Sequence, residues 1–312
     1  MLNPGNKLET ISRALNLRTL LILAPLLLLL PAACSSDSQD TIISSEQEAG
    51  GPAYSGTIIT TDMAVGVNRM LFGVTNRAGM PIIGDSADVG VYFLVPREDA
   101  RELTKEVTAN FISWPTVIGG VFGAEVDIPL GGVYELDIRY TSSDGVEVFA
   151  QTSFLVKDES ETPSVGSPAP ASVTHILADA EDISHITSSP EPDPELYQLS
   201  IDEALTQDKP LVIVFATPAF CVSATCGPQV GELTKVKAIV GDRANFIHVE
   251  VFEDPHLIEN HRPTGELVPA VKEWGLPTEP WVFVVDEDGL ISAKFEQFTT
   301  AGEIEAKLLE IL

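Results

Sequence analysis

A run of five apolar residues, Leu211–Phe215, lies between Pro210 and Pro218 and is followed by two cysteines, Cys221 and Cys226. A continuous apolar run of this length is typical of a central strand that is buried on both faces. The residues after Cys226 have the apolar spacing of a helix. Backbone N–H groups at the start of such a helix can stabilise a thiolate. The sequence therefore predicts an α/β region that carries its cysteine pair at a strand-to-helix junction.

The rest of this C-terminal region continues the α/β pattern. Ser200 and Glu203 form a capping-box pattern, which predicts a helix over residues 201–207. The turn Asp286–Gly289 separates two strand patterns and predicts a hairpin. The apolar side of the last helix is predicted to consist of Ile304, Leu308, Leu309 and Ile311, and that of the helix over 229–240 to consist of Val230, Leu233, Val236, Ile239 and Val240. The remaining predicted elements are strand 246–252, helix 267–274, strands 281–285 and 290–295, and helix 302–312.

Residues 56–157 have the apolar–polar alternation of short strands, unlike the α/β pattern of the C-terminal region. Apolar and polar residues alternate most clearly over 133–140, as in a half-buried strand. About seven strands in roughly 100 residues are typical of an immunoglobulin-like β-sandwich. This region contains no cysteine and no histidine, so it offers no inter-sheet disulfide and no obvious metal site. The predicted strands are 70–76, 89–95, 107–112, 121–128, 133–140 and 146–156.

Residues 158–195 begin with a polar, proline-containing stretch and predict a linker. The chain that follows residue 33 is too long for one typical core and suits two domains. The expected fold class is therefore an all-β immunoglobulin-like sandwich over 56–157 followed by an α/β domain over 196–312.

The N-terminus has the pattern of a secretory signal over residues 1–33. Three basic residues precede a leucine-rich run that is too short to span a membrane, and Pro31-Ala-Ala leads to Cys34. This ending resembles a bacterial lipobox, which implies a lipid on Cys34, and residues 34–55 predict an acidic, Ser-rich tether. The expected location is extracytoplasmic and membrane-anchored. Ordinary signal cleavage, with Cys34 incidental, is the alternative.

The formal net charge of −28 opposes binding to nucleic acid and to anionic lipid headgroups. An acidic surface does not identify a substrate.

Residues 196–312 resemble the thioredoxin superfamily, in particular its membrane-anchored extracytoplasmic thiol–disulfide oxidoreductases. The resemblance rests on Val214–Thr217, Cys226-Gly-Pro, Gly275-Leu-Pro-Thr, Pro280 and Phe283–Gly289. It implies that Cys221 is the attacking thiol, that Cys226 resolves the mixed disulfide and that Pro280 is cis. The expected partners are extracytoplasmic thiol or disulfide proteins, and no cofactor or metal is expected.

The spacing of the cysteines leaves alternatives open. Four residues separate Cys221 from Cys226, whereas the family usually has two. A second alignment makes Cys226 the attacking thiol of Cys226-Gly-Pro-Gln229. The pair could also be a permanent disulfide that staples a loop in an oxidising compartment. The protein would then be a non-catalytic lipoprotein.

Metal binding is a further hypothesis. Copper chaperones of the Sco type share the thioredoxin-like fold and use two cysteines and a histidine, but residues 274–280 contain no histidine. His256 and His261 could take that role if residues 253–263 folded over the cysteines. A peroxidase interpretation is weaker, because no arginine is near Cys221 in the sequence.

Several neighbouring residues carry smaller expectations. Glu279 is expected to be a solvated loop acid, although it could accept a proton from the dithiol. Phe220 and Trp281 could form a docking surface but more often such residues cover a core. His248 is expected to be a hydrogen-bonded core histidine.

Overall fold

The computed structural model describes residues 52–115 and 119–312. Cys34, the predicted signal peptide over 1–33 and residues 34–51 of the predicted tether lie outside these ranges.

Seven strands form one antiparallel sheet in the first half of the described chain. Their order is β1-β2-β5-β4-β3-β6-β7, and β1 also lies close to β7, so the sheet is nearly closed. The strands are β1 (Tyr54–Ile58), β2 (Gly66–Asn76), β3 (Ser86–Leu94), β4 (Arg101–Ser113), β5 (Gly120–Ile128), β6 (Gly132–Thr141) and β7 (Glu147–Val156).

The alternation over 133–140 produces the expected two-faced strand. Tyr134, Leu136 and Ile138 of β6 are buried, whereas Val133 and Arg139 are exposed. All six predicted strands are present, and five agree within four residues at each end, whereas β4 begins six residues before the predicted start, at Arg101. β1 was not predicted, because it begins at Tyr54, inside the stretch predicted as tether.

The second half contains a smaller mixed sheet with helices. Its order is β13-β12-β8-β9, where β8 (Leu211–Ala216) pairs with β9 (Asn245–Glu250) in parallel and with β12 (Trp281–Val285) in antiparallel register. β13 (Ile291–Glu296) forms the predicted hairpin with β12. A two-stranded ribbon, β10 (Ile258–Glu259) and β11 (Arg262–Pro263), lies between β9 and the next helix. The helices are α1 (Ile201–Ala204), α2 (Cys226–Val240), α3 (Pro269–Glu273) and α4 (Ala301–Leu309).

The predicted central strand is confirmed, because every residue of β8 is buried. Leu233 and Val236 of α2, and Ile304 and Leu308 of α4, belong to the buried core as predicted. Two assignments to the apolar faces were wrong. Ile239 is 58% exposed and Leu309 is 51% exposed, because each faces away from the core, while its neighbour on the helix (Val240 and Leu308, respectively) is buried.

The segment over 158–195 contains the 3-10 helices Leu177–Asp179 and Ile183–His185 and the start of a third, Pro194–Tyr197. Its Thr162 donates to Asp62 in the connection between β1 and β2 and accepts from Lys294 of β13. The Gly166 backbone N–H donates to Ile291 and the Ile291 N–H donates to Ser167, so this stretch runs along the free edge of β13. Both sheets belong to one compact unit of the described chain.

Within the described ranges, no helix has the length and the apolar character needed to cross a bilayer.

Candidate functional site

The cysteine pair lies where β8 passes into α2. The chain leaves β8 at Ala216, and α2 begins at Cys226 itself. Cys221 and Cys226 form a disulfide, and their Cα atoms are 5.9 Å apart. This distance lies within the range that disulfides require, so a four-residue gap can be bridged.

The two sulfurs differ in access. Cys226 is fully buried in the core between the sheet and α2, whereas Cys221 is half-buried on the loop before the helix. Val222, directly after Cys221, is 97% exposed. A reagent that approaches from solvent therefore meets the Cys221 side of the disulfide first.

The loop between the cysteines is held by hydroxyl groups. The Ser223 hydroxyl lies 3.2 Å from Sγ of Cys221 and 2.7 Å from the hydroxyl of Thr225. A disulfide sulfur carries no hydrogen, so the Ser223 hydroxyl is the donor to it. These contacts fix the loop residues beside the exposed sulfur.

Cys226 also occupies a favourable electrostatic position. It is the first residue of a 15-residue helix, and the N-cap residue, Thr225, makes no side-chain cap. The first N–H groups of α2 therefore remain available to stabilise negative charge near the sulfurs.

The predicted cis peptide bond is present between Glu279 and Pro280. It lies in the loop between α3 and β12. Pro280 is buried, and its carbonyl oxygen accepts a hydrogen bond from the backbone of Gln297.

Glu279 was wrongly expected to be a solvated loop acid. Its Oε2 is buried and has no hydrogen-bond partner, while the Thr217 backbone donates to its carboxylate. Burial, together with the negative charge of Glu250, raises the pKa of Glu279 to about 7. One oxygen of Glu279 and the two sulfurs all lie within 4.8 Å of one another, so the carboxyl group adjoins the disulfide.

A second buried carboxylate, which was not predicted from the sequence, lies beneath this region. Glu250, at the end of β9, is buried and accepts hydrogen bonds from the Ser188 backbone and hydroxyl. The signal was available, because Glu250 is a charged residue in an otherwise apolar strand pattern. Its partner could not be predicted, since Ser188 comes from the segment interpreted as a linker.

His248 is the hydrogen-bonded core histidine that the sequence predicts. It is buried, with Nδ1 2.7 Å from the Tyr197 hydroxyl and Nε2 3.1 Å from the carbonyl oxygen of Ala216. Burial lowers the pKa of His248. This histidine is a structural group behind the site.

The other predicted residues lie outside this cluster. Trp281 is buried against Phe283 in the core, so it offers no docking surface, whereas Phe220 is half-buried. His256 stacks on His185 with their ring centroids 4.0 Å apart. Among the residues that the structure describes, no histidine joins the cysteines in a group able to hold a metal.

A cleft of about 840 Å³ lies between the seven-stranded sheet and the face formed by β13 and α4. Its charged side chains already pair with one another: Arg69 contacts Glu303, and Lys294 contacts Asp62. The cleft is therefore part of the junction between the sheets.

Comparisons with known proteins give little guidance. No family model matches the chain, and no curated protein matches it. A solved structure of a superoxide reductase (neelaredoxin) from Ignicoccus hospitalis aligns with 39% of this chain and 98% of its own, at 12% sequence identity and a TM-score of 0.22. A TM-score this low supports no statement about fold or function.

Proposed function

We propose that the protein is an extracytoplasmic thiol–disulfide oxidoreductase that uses the Cys221–Cys226 pair and is anchored to the membrane through a lipid on Cys34. Residues 196–312 would form its thioredoxin-like domain, and residues 56–157 an immunoglobulin-like domain that acts as a spacer or binds a partner. Its substrates would be extracytoplasmic thiol or disulfide proteins.

The observation that carries this proposal is the disulfide at the start of α2, with one sulfur accessible and the other buried, beside Glu279 and the cis bond of Pro280. In thiol–disulfide exchange by a dithiol, one thiolate reaches the substrate, and the second thiolate reaches only the sulfur of the first cysteine. The difference in exposure between Cys221 and Cys226 supplies that division of roles.

The chemistry follows from the exposure of the sulfurs. In the reduced protein, the Cys221 thiolate attacks a substrate disulfide, and one substrate sulfur leaves as a thiolate. Cys226 then attacks the Cys221 sulfur, so that the second substrate sulfur leaves and the protein disulfide forms. The substrate gains two electrons and two protons, and a dithiol reductant restores the protein pair. Pro280, beside the disulfide, would keep the substrate chain in register.

Strand topology supports the two proposed folds. The order β1-β2-β5-β4 followed by β3-β6-β7 is that of an immunoglobulin constant-type domain, here with β4 paired to β3. The succession of β8, α2 and the parallel β9, and then of the hairpin β12–β13 and α4, agrees with the order expected of a thioredoxin-like domain.

The described residues fit the two alternative functions to different degrees. A Sco-type copper site lacks its histidine, because His256 stacks on His185 and is not grouped with the sulfurs. A permanent staple remains the competing interpretation of the disulfide, and the trapping experiment separates the two.

The experiment compares Cys226→Ser with Cys221→Ser in the anchored protein, in which the lipid on Cys34 leaves no third free thiol. We expect Cys226→Ser to accumulate mixed disulfides with extracytoplasmic proteins on non-reducing gels, because Cys221 attacks and no resolving thiol follows. Cys221→Ser is the matched control and should trap few. Stronger trapping by Cys221→Ser would reverse the roles. If neither variant traps a partner and the wild-type disulfide resists reduction, the oxidoreductase proposal is wrong.

A further inference from the structure

The carboxyl group of Glu279 has one oxygen without a partner. Oε2 is buried and accepts no hydrogen bond within the described chain, although the Thr217 backbone donates to the carboxylate. Most buried polar atoms have partners, and an unpaired carboxylate oxygen is costly to bury. The orphaned oxygen therefore indicates a binding partner other than the protein's own donors.

The two sulfurs lie close enough to share that partner. One Glu279 oxygen, Sγ of Cys221 and Sγ of Cys226 all lie within 4.8 Å of one another. Tetrahedral Zn²⁺ binds thiolates at about 2.3 Å and carboxylate oxygens at about 2.0–2.2 Å, which places its ligand atoms about 3.5–3.8 Å apart. Once reduction breaks the S–S bond, three donors are available within the required space.

The surrounding charge also favours a cation. Glu250 adds a second carboxylate that acts electrostatically on Glu279. In residues 52–115 and 119–312, neither carboxylate forms an ion pair with lysine or arginine. Two thiolates formed next to these groups would add negative charge, which a bound cation would offset.

We propose that the reduced protein binds one Zn²⁺ through Cys221, Cys226 and Glu279. This proposal rests on the proposed function in one respect, which is that the disulfide can be reduced by a dithiol. Zn²⁺ accepts both sulfur and carboxylate ligands, whereas Cu(I) prefers soft sulfur ligands.

Zinc binding would regulate the pair. The two thiols lose their protons to solvent as Zn²⁺ binds, and no electrons are transferred. With both sulfurs bound to the metal, Cys221 cannot attack a disulfide, and the S–S bond cannot form until the metal leaves. Three protein ligands leave a fourth position for water.

The test uses the full chain with Cys34→Ser, reduced anaerobically with a phosphine. A thiol reagent counts the free sulfurs, and ZnCl₂ is then added in competition with a chromophoric chelator. We expect one Zn²⁺ per reduced chain and none per oxidised chain. Glu279→Gln should weaken binding at least about tenfold, since it replaces a metal ligand with a poorer one. Glu287→Gln, in the exposed β12–β13 turn, is the matched control and should bind as the parent does.

Substitution with Co²⁺ gives a second measurement. A thiolate-to-cobalt charge-transfer band should appear with the reduced parent and with Glu287→Gln, and should change in intensity and position with Glu279→Gln. Circular dichroism verifies that each variant is folded.

The outcomes separate the two proposals. Failure of the phosphine to release two thiols would contradict the proposed function and also remove the zinc site. Two free thiols without bound zinc, or zinc affinity equal in Glu279→Gln and its parent, would overturn only the zinc site. Retention of Cu(I) in place of Zn²⁺ would overturn the choice of metal and of the Glu279 ligand.

Discussion

Asp62 joins three parts of the described chain. Its buried side chain, in the connection between β1 and β2, accepts hydrogen bonds from Ser160 and from both the backbone and the hydroxyl of Thr162. Lys294 of β13 lies 3.6 Å away and adds its positive charge. Burial alone would raise the pKa of Asp62, but these hydrogen bonds and the lysine outweigh it and hold the pKa well below its ordinary value.

Asp62→Asn should therefore destabilise the protein by about 2–4 kcal/mol at pH 7. The amide NH₂ group of asparagine would face a hydrogen-bond donor, and Lys294 would lose its counter-charge. The measurement is urea denaturation of both proteins between pH 7 and pH 2. Since the folded pKa of Asp62 is lowered, the wild-type advantage is complete above the unfolded pKa of about 3.9 and declines as the pH falls towards the folded pKa.

Glu161→Gln is the control for this prediction. Its side chain is 56% exposed and pairs with Lys157 at the surface, so its effect should remain below about 1 kcal/mol. An Asp62→Asn effect as small as the control, or one that grows on acidification, would contradict the account of Asp62.

At the scale of elements, two glycines have opposite requirements. Gly231 lies in the exposed middle of α2, and an added Cβ would meet no atom within 4 Å. Gly275 follows α3 with φ of +60°, and a Cβ there would lie 2.2 Å from the carbonyl oxygen of Glu161. The first glycine weakens its helix, whereas the second permits the connecting segment to approach α3.

Gly231→Ala should raise the free energy of unfolding by about 0.5–1 kcal/mol, since alanine has the higher helix propensity. Gly275→Ala should lower it by about 2–4 kcal/mol, through left-handed strain of about 1–2 kcal/mol and a backbone clash. Thermal and urea unfolding of the two variants measure both changes, and each variant serves as the control for the other. A Gly275→Ala protein with the same free energy of unfolding as the wild type, or a higher one, would contradict this account of Gly275.

Element types could be predicted from the sequence because local patterns determine them. The alternation in β6, the capping box at Ser200 and the apolar run of β8 each depend on neighbours within a few residues. β1 was missed because its short run, Tyr54–Ile58, is only half-buried. The exposure of Ile239 and Leu309 was missed because it depends on how each helix is rotated against the sheet, which buries Val240 and Leu308 instead.

The candidate site was predictable in part for the same reason. The junction of β8 with α2 and the cis bond at Pro280 follow from motifs close in sequence. The burial of Glu279 and its approach to Glu250 depend on tertiary packing between the end of β9 and a loop about 30 residues later in the chain. No local sequence pattern predicts such packing.

At the scale of the whole molecule, the two sheets meet through a largely buried arginine. Arg69 of β2 donates to the Glu303 carboxylate at the start of α4, and to the backbone oxygens of Glu296 and Phe298. Its side chain is 12% exposed. The guanidinium group thus ties the seven-stranded sheet to the end of β13 and to α4, and the linker predicted over 158–195 adds contacts along the same edge.

This junction predicts that both sheets unfold in one transition. In a Trp114→Phe protein, the remaining tryptophans, Trp274 and Trp281, are buried around the mixed sheet, so fluorescence reports on that sheet alone. Pulsed hydrogen exchange of peptides from β1 to β7, measured by mass spectrometry across the same urea series, reports on the larger sheet. Coincident urea transitions by the two probes are the test of two-state behaviour, and we expect them to coincide.

Arg69→Ala in the same Trp114→Phe protein should lower the free energy of unfolding by about 3–5 kcal/mol, because Glu303 loses its buried partner and two backbone oxygens lose their donor. The junction would then be weaker than either sheet, and the two midpoints should separate. Arg139→Ala is the matched control, since Arg139 is 66% exposed, and it should cost less than about 1 kcal/mol with the midpoints still coincident. Midpoints that already differ with Arg69 intact would show that the sheets are independent folding units, and a loss below about 1 kcal/mol in Arg69→Ala would show that other contacts hold them together.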